Sequence, residues 1–201
     1  MIKGSGNIIF CGVGGQGILL ASEITSDALM AAGFDVKRSE VHGMAQRGGS
    51  VIAHLRYGKK VWSPVIDPGT ADIQVAFEML EALRYLPYLH AGSRVIVNTQ
   101  KIAPSPVSTG VEQYPEGIID RLRTNGLSVI PFDAHEIGKA LGEPRASNLA
   151  IVGALSTFLP VNEDVFRDAI KFRVKARFLD VNMQAFQKGR ALVGSTLSAS
   201  A

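Results

Sequence analysis

Apolar positions along this chain follow two periods, and the switches between them lay out an alternation of strands and helices. Ile8, Ile9, Phe10 and Cys11 form an uninterrupted apolar run, the mark of a strand buried on both faces of a parallel sheet. From Ile18 the period lengthens. Ile18, Ala21, Thr25, Ala28, Leu29 and Ala32 recur at helical spacing, opening near Gln16 and ending at Gly33. Residues 34–41 read as a second strand. Val51 to Tyr57 reads as a third, with Val51, Ala53, Leu55 and Tyr57 on one face and His54 on the more polar one. The turn at Gly58-Lys59-Lys60 then predicts a hairpin between this strand and Val61–Ile66.

Further strands are predicted at 72–78, 94–99 and 127–132. Helices should follow them through Leu80, Leu83 and Leu86, from Pro115 to Asn125-Gly126, and from the cap Asp133 to Gly142. Glu78 and Glu81 read as exposed charges at a helix start. Pro104, Pro106, Gly110 and Pro115 predict a long ordered loop without regular structure. Beyond Pro144 the pattern is helical only. Ser147 or Asn148 should cap a helix that is apolar on most faces, Asn162 should cap the next, and the small polar residues after Val193 predict a frayed end. Together these elements give an α/β fold, a doubly wound, mostly parallel sheet with a Rossmann-like strand, glycine turn and helix at its start and a helical C-terminal third.

Two glycine segments interrupt this pattern and carry its candidate chemistry. Gly12, Gly14 and Gly17 satisfy G-x-G-x-x-G, with Gly15 loosening the turn further. Without side chains in the way, backbone N–H groups at Gly12, Gly14, Gly15, Gln16 and Gly17 could face a phosphate, helped by the positive end of the following helix. The alternative is that the glycines only allow tight strand-to-helix packing. A dinucleotide site would also need an acidic residue at the end of the second strand, which Glu40 supplies, so NAD(P) binding stays open at this point. The second segment, His42 to Ser50, places a titratable ring, an amide and a guanidinium (His42, Gln46, Arg47) beside Gly48 and Gly49. Asn98, at a strand's carboxyl end, and Asn148 complete the candidate polar tips.

Composition narrows the classes. The chain has 201 residues, 46% of them hydrophobic, enough for one good core. Its 21 basic and 18 acidic residues show no long basic tract or aromatic interleaving, which argues against a dedicated nucleic-acid binder. Cys11 is the only cysteine, so the chain can form no internal disulfide and no iron–sulfur site of four thiolates. No stretch approaches the ~20 apolar residues of a membrane span and the start lacks a signal-peptide pattern, so a cytoplasmic location is expected. Lys171, Arg173, Lys175 and Arg177 cluster in a predicted helix junction and read as a solvated basic edge rather than an anion-binding one.

Gly12-Val-Gly-Gly-Gln-Gly-Ile-Leu-Leu-Ala-Ser22, taken with Ser39-Glu-Val-His-Gly-Met-Ala-Gln-Arg-Gly-Gly-Ser50, resembles the γ-type subunit of 2-oxoacid:ferredoxin oxidoreductases. The likeness extends over Val97-Asn98-Thr99, Ser147-Asn148 and residues 182–189, and Glu40-Val41-His42-Gly43 makes it most similar to the indolepyruvate branch, specifically its β subunit. The resemblance implies a single domain over residues 1–201. It also implies an accessory role in the CoA-dependent oxidative decarboxylation of an arylpyruvate. Thiamine diphosphate and iron–sulfur clusters would then lie on a large α subunit and electrons would pass to ferredoxin, with no cofactor bound by this chain alone. Gly12, Gly14, Gly15, Gln16, Gly17, Arg47, Gly48, Gly49, Asn98 and Asn148 would form a polar wall beside the active centre. His42, Gln46 and Arg47 are candidates for a catalytic part, none of them an evident nucleophile or base. A self-sufficient NAD(P) enzyme and a pure assembly module are the competing readings. Phe158, Phe166, Phe172, Phe178 and Phe186 predict an apolar surface that pairs with another chain, or with a second copy in the isolated protein.

Overall fold

Strand β1 (Gly6–Val13) runs through the middle of the computed structural model, which describes residues 4–42 and 48–198. The elements then follow as α1 (Ile18–Ala31), β2 (Asp35–His42), β3 (Ser50–Gly58), β4 (Ala71–Ala76), α2 (Met79–Arg84), β5 (Leu89–Asn98), α3 (Ser105–Ser108), α4 (Ile118–Thr124), β6 (Ser128–Phe132), α5 (Ala134–Ala140), α6 (Ser147–Ser156), α7 (Glu163–Arg173) and α8 (Leu179–Ser198). The six strands form one sheet in the order β2-β3-β1-β4-β5-β6. β1, β4, β5 and β6 are mutually parallel, while β3 runs antiparallel to both β1 and β2. The mostly parallel, two-sided sheet expected from the sequence is thus present, with an antiparallel pair on one flank.

The apolar run of β1 explains its central place. Ile8 and Phe10 face one core together with α1, α6, α7 and α8, whereas Ile9 and Cys11 face a second core with α2 and α4. Helix α6 is buried from Asn148 to Ser156, so its apolar residues are covered on every side. Each fully buried Leu, Ile or Val of this kind contributes about 1.5–3 kcal/mol relative to exposure. α6 and α8 cross in close contact: a methyl at Gly153 would strike the carbonyl of Phe186, and one at Gly189 the carbonyl of Ala150.

Several local expectations are corrected. The hairpin pairs β3 with β2, in the register Asp35↔Gly58 to His42↔Val51, and residues 61–66 form no strand. Side chains take the hydrogen bonds a strand would have used. Asp35 accepts from the Val61 amide (2.9 Å), His54 Nδ1 accepts from the Ile66 amide (3.0 Å), and Arg56 donates to the carbonyls of Ser63 and Val65 (3.2 Å each). His54 is therefore buried rather than on a polar face, and burial pushes its pKa down. Glu78 and Glu81 are buried as well, at 1% and 4% exposure. The proline-rich loop contains the single-turn helix α3, with Pro106 in its first turn, where a missing N–H costs nothing. Helix α4 starts after a left-handed Gly117, two residues beyond Pro115, and α8 continues past Val193 to Ser198.

The caps of the third helical group also differ from expectation. Ala146 occupies the cap position of α6, and neither Ser147 nor Asn148 caps it. Asn162 stands at the start of α7 but makes no side-chain cap bond. The expected row of exposed phenylalanines is mostly core: Phe158, Phe166 and Phe186 are buried, and only Phe172 is largely exposed, at 81%. Their spacing serves the packing of α6, α7 and α8 instead. The structure divides the basic edge: Lys171 pairs with Asp168 (2.8 Å) and Arg173 with Asp27 of α1 (2.5 Å), while Arg173 and Lys175 line a second cleft with Arg145.

Candidate functional site

The glycine turn lies at the carboxyl end of β1, where the parallel strands β4 and β5 also end, and a cleft of about 300 Å³ opens there between α1 and α6. Gly15, Gln16, Gly17, Phe77, Asn98, Gln100, His135, Arg145 and the first residues of α6 line it. Five of the sequence-predicted residues therefore meet at one place: Gly15, Gln16, Gly17, Asn98 and Asn148.

Each glycine in the turn has its own physical reason. Gly15 and Gly17 hold positive φ, +105° and +80°, the left-handed region that other residues adopt only with strain. A methyl at Gly12 would come within 2.8 Å of Phe77 Cβ. Gly17 occupies the cap position of α1 and offers no side chain, so nothing caps the first turn of that helix. Helix α6 has no side-chain cap of its own, but a 3₁₀ turn at Pro144–Ala146 runs straight into it, with the Glu143 side chain accepting from the Arg145 amide (3.2 Å) and the Ser147 amide bonded back to that turn; neither helix carries an acidic residue in its first turn. One uncapped helix start, that of α1, thus borders the cleft. Its partial positive charge favours an anion there by roughly 0.3–1 kcal/mol.

The side chains around the cleft sort into those that build it and those left to act. Gln16 builds: its Oε1 accepts from the Val13 amide (2.8 Å), and its Nε2 donates to the Phe77 carbonyl (2.9 Å) and to Gln100 Oε1 (3.1 Å). The Gln16 amide is also spent, on the Val13 carbonyl. Asn98 builds too, accepting from the Ala134 amide (3.0 Å) and donating to the Phe77 carbonyl (3.1 Å). Both residues are framework rather than the ligand-facing groups the sequence suggested. Asn148 differs. It is 93% buried, it presses against Gly17, and its Oδ1 has no hydrogen-bond partner among the described residues. A buried amide oxygen without a donor costs about 1–3 kcal/mol, which a ligand donor could recover. Arg145 is exposed, and no ion pair ties it among the described residues. Arg145 gives the cleft a cationic rim with the His135 ring beside it, and among the described residues no carboxylate lines the cleft.

The second glycine segment meets the first directly. The Gly14 amide donates to the Gly49 carbonyl at 2.8 Å, and the Gly48 amide donates to the Gly14 carbonyl at 3.4 Å. Gly14 is therefore occupied with Gly49 rather than free for a ligand. Gln46 and Arg47 lie outside the described residues, and His42 is described only as the last residue of β2. Gln100, His135 and Arg145 line the cleft but escaped the sequence reading, and Ser147, which the sequence offered as a helix cap, lines it too. Arg145 had a local signal, since Pro144-Arg145 directly precedes the apolar helical period from Leu149. His135 and Gln100 had none, because only the folding of separate loops brings them to the glycine turn.

A plain dinucleotide unit is not built here. Such a unit places its second strand parallel and adjacent to its first, whereas antiparallel β3 occupies that place and β2 is an edge strand. Glu40 on β2 is paired with Arg38 (2.5 Å). The sole cysteine is inert as well: Cys11 is fully buried, and desolvation, with the Glu81 carboxylate beside it, pushes its thiol well above the usual range. Among the described residues, no group of three His, Cys, Asp or Glu side chains could hold a metal ion.

Known proteins place this architecture. Residues 7–192 match the family described as pyruvate ferredoxin/flavodoxin oxidoreductase. The chain is 43% identical to the indolepyruvate oxidoreductase subunit IorB of Archaeoglobus fulgidus, over 91% of its own length and 92% of the relative's. It is 39% identical to the same subunit of Thermococcus kodakarensis, over 91% and 93%. Among solved structures it is similar to the γ subunit of a keto/oxoacid ferredoxin oxidoreductase from Geobacter sulfurreducens (TM-score 0.71, 21% identity, 94% of this chain and 98% of that one). It is also similar to a 2-oxoglutarate:ferredoxin oxidoreductase from Magnetococcus marinus solved with 2-oxoglutarate, coenzyme A and succinyl-CoA bound (TM-score 0.75, 20% identity, 96% of this chain and 32% of that one). The paired glycine segments, the cleft at the carboxyl ends of the parallel strands and these likenesses agree, and the chain belongs to the pyruvate ferredoxin/flavodoxin oxidoreductase family, as an oxidoreductase subunit of the 2-oxoacid:ferredoxin class.

Proposed function

We propose that this chain is the accessory subunit of an indolepyruvate, or more broadly arylpyruvate, ferredoxin oxidoreductase, and that the α1–α6 cleft binds a phosphate group of CoA. The names of its 43% and 39% identical relatives support the substrate class. The single observation that carries the site is the uncapped start of α1, with Gly15 and Gly17 at positive φ, facing the exposed Arg145 across a cleft that no carboxylate lines among the described residues; Asn148 Oδ1, a buried acceptor without a donor, would take a hydroxyl or N–H of CoA and not its phosphate. CoA is a polyanion, and the Magnetococcus enzyme was solved with it bound.

In this reading the 2-oxoacid and CoA give acyl-CoA, CO2 and a proton, and two electrons pass through iron–sulfur clusters to ferredoxin. The clusters would lie on a large α subunit, because one buried cysteine cannot supply the thiolates that a cluster needs, and the family resemblance would put thiamine diphosphate there too. This chain's own part is positioning. Amides of Gly15 and Gly17 at the start of α1 hold the phosphate, Arg145 neutralises it with the His135 ring beside it, and Gln16, Gln100 and Asn98 keep the cleft in shape. Arg47, in the second glycine segment, supplies a further guanidinium to an anionic group of CoA or of the 2-oxoacid. The chain acts as one α/β domain over residues 1–201 in the cytoplasm; no described helix is long and apolar enough to cross a membrane.

Steady-state kinetics of the complex reconstituted with its large subunit tests this. Arg145→Ala should raise KM for CoA by about one to two powers of ten, the loss of a charge-assisted contact of roughly 1.5–3 kcal/mol, and leave KM for the arylpyruvate unchanged. Arg145→Lys should recover part of the loss, because it keeps the charge without the planar fork. Unaltered kinetics in Arg145→Ala would favour the assembly-module reading, in which the glycines serve packing alone.

A further inference from the structure

Behind the glycine turn lies a buried polar brace that neither the sequence pattern nor the cleft itself accounts for. Ser50 is the first residue of β3 and sits opposite Val13, at the exit of the second glycine segment. Its hydroxyl donates to the Glu81 carboxylate and lies 2.9 Å from the Tyr85 hydroxyl. The other oxygen of Glu81 accepts from Arg84 Nε at 3.0 Å. The Glu81 amide in turn donates to Glu78 (2.9 Å), the cap of α2. Glu78 also accepts from the Ile102 amide (3.0 Å) and from the Tyr114 hydroxyl. Two adjacent buried carboxylates thus tie two separate segments to α2: the glycine segment through Glu81, and the loop after β5 through Glu78.

Burying two carboxylates side by side is costly unless their oxygens are engaged, and an exposed cap would have served α2 alone. What the second carboxylate adds is a fixed position for Ser50. The carbonyl of Gly49, one peptide away, receives the Gly14 amide at 2.8 Å, so holding Ser50 holds the contact that joins the two glycine segments. We propose that Glu81, acting through Ser50, is a positioning residue that sets the glycine turn and so the shape of the cleft wall. Its consequence for ligand binding rests on the reading of the cleft as a CoA site; the positioning itself does not.

Amide hydrogen exchange of the full chain, followed by NMR, separates the two. In Ser50→Ala and Glu81→Gln the Gly14 amide should exchange about tenfold faster or more, while Ile9 and Cys11 in the same strand stay as in the wild type, because a local opening has replaced a charge-assisted bond. Ser50→Thr keeps the hydroxyl and should retain protection. Tyr114→Phe cuts the Glu78 arm and the bond the hydroxyl accepts from the Leu80 amide (3.0 Å), leaves Ser50–Glu81 intact, and should leave Gly14 unchanged. Wild-type exchange at Gly14 in Ser50→Ala would overturn the proposal, and Ser50→Ala carries the test alone if Glu81→Gln fails to fold. In the reconstituted complex, KM for CoA should rise in the same variants while KM for the 2-oxoacid stays. Faster exchange at Gly14 with an unchanged KM for CoA would uphold the positioning role and overturn the CoA reading.

Discussion

Helix α6 meets glycines at both its ends, for opposite reasons. At its start it faces Gly15 and Gly17, which hold positive φ, and a methyl at Gly15 would meet only open space. Near its end Gly153 packs against α8, where Gly189 answers it, and a methyl at either would enter a carbonyl of the opposite helix. The first pair is required by the chain's direction; Gly15 leaves room beside it, while a methyl on Gly17 would strike the Asn148 side chain. The second is required by the neighbour and leaves none. Open space next to backbone donors is what a ligand needs, whereas a filled crossing is what a rigid platform needs, so residues of one type leave a cleft open at one end of the helix and close a crossing at the other.

Substitutions can break that contrast, and the crossing should respond most. Gly189→Ala or Gly153→Ala should destabilise the chain by about 2–2.5 kcal/mol, an overpacking cost at the top of the usual range of roughly 1–3 kcal/mol less a helix-propensity gain of roughly 0.5–1 kcal/mol. For a chain of this size the melting temperature should fall by about 5–10 °C in calorimetry. A melting temperature within error of the wild type would mean that the helices can part freely, and the platform account would fail.

Gly12→Ala sharpens the contrast, because Gly12 belongs to the turn yet is crowded like the crossing, with Phe77 Cβ and Gln16 Oε1 each 2.8 Å from an added methyl. The expected loss is about 1–2 kcal/mol, together with weaker CoA binding as Gln16 leaves its bonds to the Phe77 carbonyl and Gln100. Wild-type CoA affinity with reduced stability would make Gln16 a purely structural residue. Gly15→Ala should cost least, about 1 kcal/mol of left-handed strain without any clash. A drop as large as that of Gly189→Ala would show that the turn is packed after all.

The sequence carries the fold further than the site. The apolar run of β1, the helical spacing of α1 and the strand-helix alternation to Gly142 specify a two-sided parallel sheet through local periodicity, and they are present. The β2–β3 pairing is not legible, because Val61–Ile66 has the composition of a strand and only the distant Asp35, His54 and Arg56 take its hydrogen bonds. Gly15, Gly17 and Asn148 stand out as site residues because turn chemistry and a helix start are local signals. Gln16 and Asn98 stand out equally but hold the framework, since an amide at a strand tip looks the same whether it meets a ligand or the Phe77 carbonyl. The burial of Glu78 and Glu81 is invisible in the sequence, because their partners Ser50, Ile102 and Tyr114 come from other segments.

The central claim is that the amides bordering the α1–α6 cleft hold a phosphate of CoA. The direct measurement is an NMR titration of the full chain with CoA, and separately with inorganic pyrophosphate, following the amide resonances of Gly15, Gly17, Ser147 and Asn148. Both ligands should shift these four resonances along with the Asn148 side-chain amide, and leave those of edge strand β2 from Asp35 to Glu40 in place. Resonances of the cleft that stay fixed at CoA concentrations saturating the assembled enzyme, or shifts confined to another surface, would contradict it.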